Sequence, residues 1–201
     1  MIEHVVPFRQ VDLRRLAADA RLGRPIAATC TSLWFRPDAY FGARRAGEAE
    51  YGTVRQVELL LSVLGDWTEV VAVATRRTRR TAIEELTAAL VVFADGTIAT
   101  VLNSLLAARE VGWFRFDFEH ATVEIDQQQG ICKLNATAGR EQPVVQAWTE
   151  SVSTSTATEE VEAVDRTAGH ELLAALREAA RTGRSVRRGE SRDENAFTAT
   201  G

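Results

Sequence analysis

The feature that most constrains the fold is the stretch from Glu48 to Gly65, EAEYGTVRQVELLLSVLG. Its apolar residues recur at helical spacing and predict a stripe facing a core, formed by Val54, Val57, Leu61 and Leu64. A second, polar face is formed by Tyr51, Arg55, Glu58 and Ser62. Gly65 is expected to end the helix, because glycine readily adopts the left-handed conformation found at helix C-termini. The stretch is therefore predicted to be one amphipathic helix.

The polar face of this helix has two interpretations. Tyr51, Arg55 and Glu58 could form one wall of a binding pocket, in which a glutamate beside a tyrosine and an arginine moves protons or orients a carboxylate. Alternatively, Arg55 and Glu58 form a solvated i,i+3 ion pair that contributes only a few tenths of a kcal/mol. The residue types alone leave both interpretations open.

The rest of the sequence predicts a large β-sheet. Its clearest element is a hairpin in which Leu86–Ala94 and Thr97–Leu106 flank Asp95-Gly96, a pair suited to a type I′ turn. The segment from Val111 to His120 alternates, with Phe114, Phe116 and Phe118 on one face. Further strands are expected at 1–8, 26–36, 69–76, 121–126, 131–136, 144–148 and 151–158, and further helices at 10–22 and 168–181. These elements predict an α+β fold, with a large, mostly antiparallel, open-faced β-sheet and about three helices packed on one face.

Length and composition are those of an ordinary globular protein. The 201 residues suit a single domain, predicted at 1–190, with a flexible tail at 191–201. A formal net charge of −4 argues against non-specific binding to nucleic acid or to anionic membranes. Neither an apolar membrane-spanning segment nor a secretory signal is recognised, which predicts a cytoplasmic location. Cys30 and Cys132 lie in apolar runs without C-x-x-C spacing and are expected to be buried thiols.

Motifs for several kinds of chemistry are missing from the sequence. His4, His120 and His170 lack the spacing of metal ligands, so no metal site is expected. There is no G-x-S-x-G elbow, S-x-x-K motif or P-loop, which leaves acyl and phosphoryl transfer without support. The RRTRR segment at 76–80 is interpreted as a solvated turn rather than an anion site, because the whole chain is acidic. The aromatic-rich loop at 37–47 is of a kind that often covers a pocket.

One face of the predicted sheet is expected to lack a cover, because three helices cannot cover both faces of six or more strands. That face would carry a mixture of apolar and charged side chains, namely Trp113, Arg115, Asp117 and Glu119. Such a face is usually completed by a second subunit. We therefore predict a homodimer in which the open faces of two sheets pack together.

The order of several segments carries a resemblance to a known family. FRQVDLRRLAADARLGRPIAATCTSLWFR is followed by the helix ending in Leu64-Gly65, then by TEVVAVATRR, LTAALVVFADGTIATVLNSLL and, later, HELLAALREAARTGRSVRRGE. Over about residues 5–197 this order resembles the C-terminal domain of the glucose-fructose oxidoreductase/inositol dehydrogenase (Gfo/Idh/MocA) family. The resemblance implies that the open sheet face is an oligomer contact. It also implies a substrate pocket built from the elements that carry Trp34, Arg36 and Tyr40, with His4 near the junction to the family's other domain.

Two features of the family are not matched by this sequence. The family's N-terminal dinucleotide-binding domain is absent and no G-x-G-x-x-G occurs, so the chain by itself is expected to bind no cofactor. When the sequence is aligned on Leu64-Gly65, the family's Asp-x-x-x-His pair falls on Tyr51 and Arg55. Neither residue replaces an acid–base histidine, since tyrosine titrates near pH ~10 and arginine above ~12.

Three functional hypotheses remain. In the first, the chain binds a small organic substrate and catalyses a non-redox step of a biosynthetic pathway, such as isomerisation, elimination or cyclisation. Its catalytic candidates are Tyr51, Arg55 and Glu58, and its substrate-binding candidates are His4, Trp34, Arg36 and Tyr40. In the second, the chain is the substrate-binding half of a split or truncated NAD(P)-dependent oxidoreductase, completed by a separate dinucleotide-binding chain. In the third, it is a non-catalytic dimeric scaffold. The replaced Asp/His pair favours the first.

Overall fold

A computed structural model gives the fold of the protein and describes residues 2–7, 20–42, 51–76, 78, 84–128, 131–138 and 166–189. Three predicted elements lie outside these residues: all but the end of the helix at 10–22, and the strands at 144–148 and 151–158. The predicted tail at 191–201 also lies outside them.

Nine strands of the described residues form one sheet. They are β1 (Ile2–Pro7), β2 (Pro25–Phe35), β3 (Trp67–Thr75), β4 (Leu86–Phe93), β5 (Ile98–Ser104), β6 (Leu106–Phe118), β7 (Ala121–Gln128), β8 (Ile131–Ala138) and β9 (Val186–Arg187). Their spatial order is β1-β8-β7-β6-β2-β5-β4-β3-β9. All neighbours are antiparallel except β2 and β5, which run parallel. As a result β2, β3 and β5 finish at the same end of the sheet, called here the upper end.

Three helices are described, α1 (Asp38–Gly42), α2 (Tyr51–Leu64) and α3 (Arg166–Thr182). α3 packs across β3 and against α2, and α2 also contacts β2. Leu60 of α2 and Leu172 of α3 belong to the same buried core as Cys30 of β2 and Val70 of β3, so both helices cover one face of the sheet. The predicted α+β fold, an open-faced and mostly antiparallel sheet with helices on one face, is confirmed.

The core lies between this covered face and the helices. Phe114, Phe116 and Phe118 of β6 are buried in it, as their alternation predicted. α2 is buried over a wider arc than its predicted stripe, because it contacts both the sheet and α3. Its buried apolar residues are Val57, Leu59, Leu60, Leu61, Val63 and Leu64. Each such side chain contributes about 1.5–3 kcal/mol by leaving water.

The turns agree with the prediction in position but not always in type. α2 ends as expected at Gly65, which has a φ of +75° and whose N–H donates to the carbonyl of Leu61 at 2.9 Å. The β4–β5 hairpin is confirmed, but its strands end at Phe93 and resume at Ile98, so the connection is longer than a two-residue type I′ turn. In that connection the carboxylate of Asp95 accepts the backbone N–H of Thr97 at 2.9 Å. This side-chain bond stabilises the longer loop.

Three features differ from the prediction. The expected loop at 37–47 contains the short helix α1, and the two-residue strand β9 was too short to produce a periodic signal. Glu119, expected on the open face of the strand, lies beyond the end of β6 at Phe118. It lies in the following turn, where its carboxylate accepts hydrogen bonds from the Arg24 guanidinium at 2.9 and 2.6 Å.

The face opposite the helices is open and exposes large apolar side chains. They are Val71 and Val73 of β3, Leu90 of β4, and Ile98 and Leu102 of β5. Because Val71 pairs with Leu90, and Leu90 with Thr100, these side chains lie on three adjacent strands. We call this set the apolar patch. Toward β6 and β7 the same face becomes charged, beginning with Arg115 and Asp117.

Candidate functional site

The covered face of the sheet changes from apolar to polar toward its upper end. Cys30 of β2 lies between Val101 of β5 and Phe114 of β6, and all three are buried. Two residues further along β2, Ser32 lies between Asn103 and Gly112. Ser32 and Asn103 are 4% and 8% exposed, so polar groups form the floor of the upper end. At this point the apolar core gives way to polar side chains.

Three of the predicted site residues are brought together at this end. The guanidinium carbon of Arg36 lies 5.2 Å from the centre of the Trp34 ring and 5.5 Å from that of Tyr40. Each contact of this kind contributes about 0.5–2 kcal/mol. The indole N–H of Trp34 donates to Ser32 Oγ, which fixes the ring above the polar floor. The structure therefore places Trp34, Arg36 and Tyr40 beside one another, and their role in substrate binding stays a prediction.

The backbone around this cluster is held by β5 and by α1. The Arg36 N–H donates to the carbonyl of Leu105 at 2.9 Å, which joins the end of β2 to the β5–β6 connection. Leu105 and Phe41 form a small buried apolar cluster with Tyr40 packed against it. The rings of Tyr40 and Phe41 meet edge to face at 5.5 Å. The two aromatic rings beside Arg36 are thus placed by the strand end and the short helix that follows.

The residues predicted on α2 are placed less completely. Tyr51 begins the helix and Arg55 lies one turn later, but their side chains are outside the described residues. Glu58 is half-buried, and its Cγ lies 3.8 Å from where a Cβ on Gly169 would be. Glu58 therefore lies on the flank of α2 that faces α3.

His4 is not brought next to the other candidates. Its backbone lies on β1 and pairs with Leu134 of β8. Three strands, β8, β7 and β6, separate β1 from β2. At about 4.8 Å per strand, β1 is roughly 19 Å from the strand that carries Trp34. The local sequence held no information about which strand β1 would pair with.

Sequence reasoning missed several buried polar residues, among them Gln56 and Glu85. Gln56, on α2, is 2% exposed, and within the described structure neither atom of its side-chain amide has a hydrogen-bond partner. Glu85 is 1% exposed, and its carboxylate accepts the backbone N–H and the hydroxyl of Thr78 at 2.8 and 2.6 Å. The available signal was a polar residue inside an apolar run, next to Val57 in the case of Gln56.

Ionisable groups with shifted pKa values lie away from the cluster, and Asp117 and Cys30 are two of them. Burial alone would raise the pKa of Asp117, but hydrogen bonds from Arg115 and Thr122 lower it below its usual value. Cys30 is a buried core cysteine, as predicted, and its burial raises the pKa of the thiol. The side chain of Cys132 is outside the described residues. Within the described ranges, no three acidic, histidine or cysteine residues are grouped to hold a metal ion, and no helix has the length and apolarity needed to cross a membrane.

Comparisons with solved structures identify the fold. The chain resembles the WlbA dehydrogenase from Bordetella pertussis in complex with NADH and UDP-GlcNAcA, with 20% identity, a TM-score of 0.67, and coverage of 87% of this chain and 59% of that one. An aldose-aldose oxidoreductase from Caulobacter crescentus complexed with glycerol is 19% identical, with a TM-score of 0.64, and the match covers 89% of this chain and 60% of that one. An oxidoreductase from Agrobacterium radiobacter in complex with NAD+, L-tartaric acid and magnesium is 17% identical, with a TM-score of 0.59, and the match covers 90% of this chain and 63% of that one. The chain thus spans about three fifths of the length of these structures.

Comparison with family models is more specific. No curated protein matches the sequence. The model of the GFO/IDH/MocA C-terminal domain matches residues 11–124, more than half of the chain. The matched region includes β2 to β6, α1 and α2, and hence Trp34, Arg36 and Tyr40. The resemblance drawn from the order of the segments is confirmed, and the chain belongs to the Gfo/Idh/MocA family through its C-terminal domain.

Proposed function

We propose that this chain is the substrate-binding half of an NAD(P)-dependent oxidoreductase and acts together with a dinucleotide-binding domain. The observation that carries the proposal is the family match over residues 11–124. The names of the solved relatives, a dehydrogenase and two oxidoreductases, two of them with a nicotinamide cofactor bound, agree with hydride transfer. This is the second of the three hypotheses. The names give no support to a non-redox step.

The upper end of the sheet has the properties of a pocket for a small polar molecule. Ser32 and Asn103 supply hydrogen-bonding groups on its floor, and Trp34 and Tyr40 supply flat apolar surfaces beside Arg36. Sugar rings and other polyhydroxylated molecules are bound by this combination, because they present both C–H faces and hydroxyl groups.

The experiment combines the purified chain with its dinucleotide-binding counterpart, whether this is encoded in the same reading frame or by an adjacent gene. Nicotinamide absorbance is followed with a panel of sugars, sugar acids and hydroxy acids. We expect substrate-dependent reduction of NAD+ or NADP+ only when both parts are present. Trp34→Ala should raise KM by about tenfold or more while leaving nicotinamide binding unchanged. If nicotinamide neither binds nor reacts in the presence of every counterpart, the proposal is refuted.

A non-redox step is the second candidate, and one observation favours it. α2 ends at Leu64 followed by Gly65, the point on which Tyr51 and Arg55 align with the family's Asp/His pair. With neither residue able to act as a histidine, Tyr51, Arg55 and Glu58 would instead shift a proton on the substrate. This candidate predicts deuterium incorporation from heavy water into the substrate without any nicotinamide, and its loss in Glu58→Gln. A strict requirement for NAD(P) would contradict it.

The proposed oligomer is a homodimer through the open face of the sheet. The apolar patch supports it, because Val73, Leu90 and Ile98 are 63%, 49% and 48% exposed on adjacent strands. Contiguous exposed apolar surface of this kind marks interaction sites. A second copy is the occupant that needs no further gene product, and a two-fold axis brings the patch onto itself. The same face would serve the third hypothesis, a non-catalytic scaffold, if no substrate were turned over.

A further inference from the structure

We infer that Ser32 is a positioning residue for the substrate: its buried hydroxyl fixes the indole ring of Trp34 in the orientation in which that ring forms a wall of the substrate pocket. The inference rests on the proposed function, because the pocket at the upper end of the sheet is part of that proposal. It gives Ser32 a task that its place on the polar floor does not require, which is to act on the substrate through a second side chain.

The hydrogen bond between the two side chains is set by β2 itself. Ser32 and Trp34 are two residues apart on this strand, so their side chains leave the same face of the sheet. The indole N–H of Trp34 donates to Ser32 Oγ. Ser32 is 4% exposed, and its backbone is held between β5 and β6 by its pairing with Asn103 and Gly112. The acceptor of the bond is therefore part of the central sheet.

The ring of Trp34 needs such a bond to keep one orientation. Trp34 is only partly buried, so packing alone does not enclose the ring. Rotation about the bond that joins the ring to Cβ has broad, roughly two-fold minima rather than three sharp staggered ones. Turning the ring over would move its N–H away from Ser32 Oγ and give up this hydrogen bond. Ser32 therefore selects one of the orientations that the tryptophan side chain could adopt.

The orientation of this ring determines the arrangement of the cluster around it. The guanidinium carbon of Arg36 lies 5.2 Å from the centre of the Trp34 ring and 5.5 Å from that of the Tyr40 ring. If the Trp34 ring turns, one of the two surfaces against which Arg36 rests is lost. A wall that is held in its binding geometry before the ligand arrives loses less entropy on binding than one that the ligand must order. Loss of the Ser32 hydroxyl should therefore weaken binding through the ring.

The first part of the test observes the hydrogen bond directly. The chain contains four tryptophans, and in the NMR spectrum of an isotope-labelled sample the indole N–H signal of Trp34 is the one that Trp34→Phe removes. We expect Ser32→Ala to shift this signal and to speed its exchange with water by about tenfold. Ser62→Ala is the matched control, because it removes a hydroxyl that donates to the carbonyl of Leu59 within α2, and it should leave the signal unchanged.

The second part measures binding of D-glucose and D-glucuronate to the full chain by ligand-observed NMR. Ser32→Ala should weaken the tighter-binding probe by about three- to tenfold. In the Trp34→Phe background, which keeps an aromatic surface, the same substitution should change the affinity by less than about twofold, because phenylalanine has no N–H for Ser32 to hold. In the assay of the assembled oxidoreductase, Ser32→Ala should raise KM for the substrate and leave kcat within about twofold.

Ser32→Cys takes the place of Ser32→Ala if that variant does not fold, since cysteine fills a similar volume but is a weak acceptor. An indole signal that is unchanged in the Ser32 variant would overturn the inference, and so would unchanged affinity. An equal loss of affinity with tryptophan or phenylalanine at position 34 would also overturn it, because Ser32 would then contact the ligand itself.

The same measurements separate this inference from the proposed function. Where neither probe binds at tens of millimolar, the KM values of the same variants decide. Turnover with nicotinamide in which Ser32→Ala leaves KM unchanged refutes the positioning role and leaves the proposed function intact. Coupling between Ser32 and Trp34 in probe binding, without any nicotinamide reaction, does the reverse. Absence of both binding and turnover refutes the two together.

Discussion

Gly23 lies in the turn that leads into β2, the strand that carries the candidate site, and we predict that Gly23→Ala is strongly destabilising. Its φ is +77°, and a Cβ built there would lie 2.7 Å from the Cβ of Glu119. The left-handed conformation costs a non-glycine residue about 1–2 kcal/mol, and relieving the overlap costs about 1–3 kcal/mol more. Reduced entropy of the unfolded chain returns about 0.4–1 kcal/mol. The net loss is therefore about 2–4 kcal/mol.

Glu119 cannot move aside easily, which is why the overlap matters. Its N–H donates to the carbonyl of Arg24 at 3.0 Å, and its carboxylate accepts the N–H of Arg24 at 3.1 Å as well as the guanidinium. The clashing atom is a Cβ, which is fixed by the backbone rather than by a flexible side-chain end. The substitution should therefore separate the turn at 20–24 from the end of β6.

Gly65→Ala is the matched control for this prediction. Gly65 has nearly the same φ, +75°, but a Cβ there would have nothing within 4 Å. It carries the conformational cost alone, about 1 kcal/mol net. Urea denaturation followed by circular dichroism should therefore show Gly23→Ala to be less stable than Gly65→Ala by about 1–3 kcal/mol, or roughly 2–12 °C in Tm. Equal losses in the two variants would refute the argument from the Glu119 contact.

Three further predictions concern the open face, its charges and the core. Leu90→Lys should convert the proposed dimer into a monomer in analytical ultracentrifugation, whereas the control Ala174→Lys, on the exposed face of α3, should leave it dimeric. If the unsubstituted chain is itself a monomer, the dimer proposal is refuted. The pKa of Asp117 is lower in the folded state than in the unfolded state. Its contribution to the stability of the fold is therefore fully present above the unfolded-state pKa, and it is lost as the pH falls through the folded-state pKa. Asp117→Asn should therefore lower the free energy of unfolding by less than about 1 kcal/mol at neutral pH and leave it unchanged in strong acid. If urea denaturation shows the same loss of stability at both pH values, the role of the Asp117 charge is refuted. Cys30, buried and with a raised pKa, should react with a thiol reagent only on unfolding, and Cys30→Ser should cost about 1–3 kcal/mol; rapid labelling of the native protein would contradict its burial.

Much of the fold was predictable because its signals are local. The apolar stripe of α2, the alternation of β6 and the Asp-Gly of the β4–β5 hairpin each involve residues close together in the sequence. The position of β2 was not predictable in this way. It pairs in parallel with β5, some 70 residues later, and is inserted between β5 and β6. Pairing at that separation depends on the packing of the whole core rather than on any local pattern.

The candidate site was predictable in the part that lies on one short segment. Trp34, Arg36 and Tyr40 lie within seven residues, so the end of β2 and α1 suffice to bring them together. His4 was grouped with them from the family resemblance, but β1 pairs at the far side of the sheet. The polar floor could be predicted only from the register of β2 against β5, because Ser32 and Asn103 lie far apart in the sequence and pair across the two strands. Sites assembled across strands are visible only once the pairing is known.

The same register separates the residues of the core from those of the proposed pocket. Along β2 the covered side chains are Ala28 and Cys30, which belong to the buried core, and then Ser32, at the upper end. Substitution of Ala28 or Cys30 disturbs a close-packed core at a cost of about 1–3 kcal/mol. Substitution of Trp34 or Arg36, which are only partly buried, removes less packing and should act mainly on the proposed ligand. If the proposed pocket is the substrate site, the residues expected to select the substrate lie where the strands leave the core, and they can vary with little loss of stability.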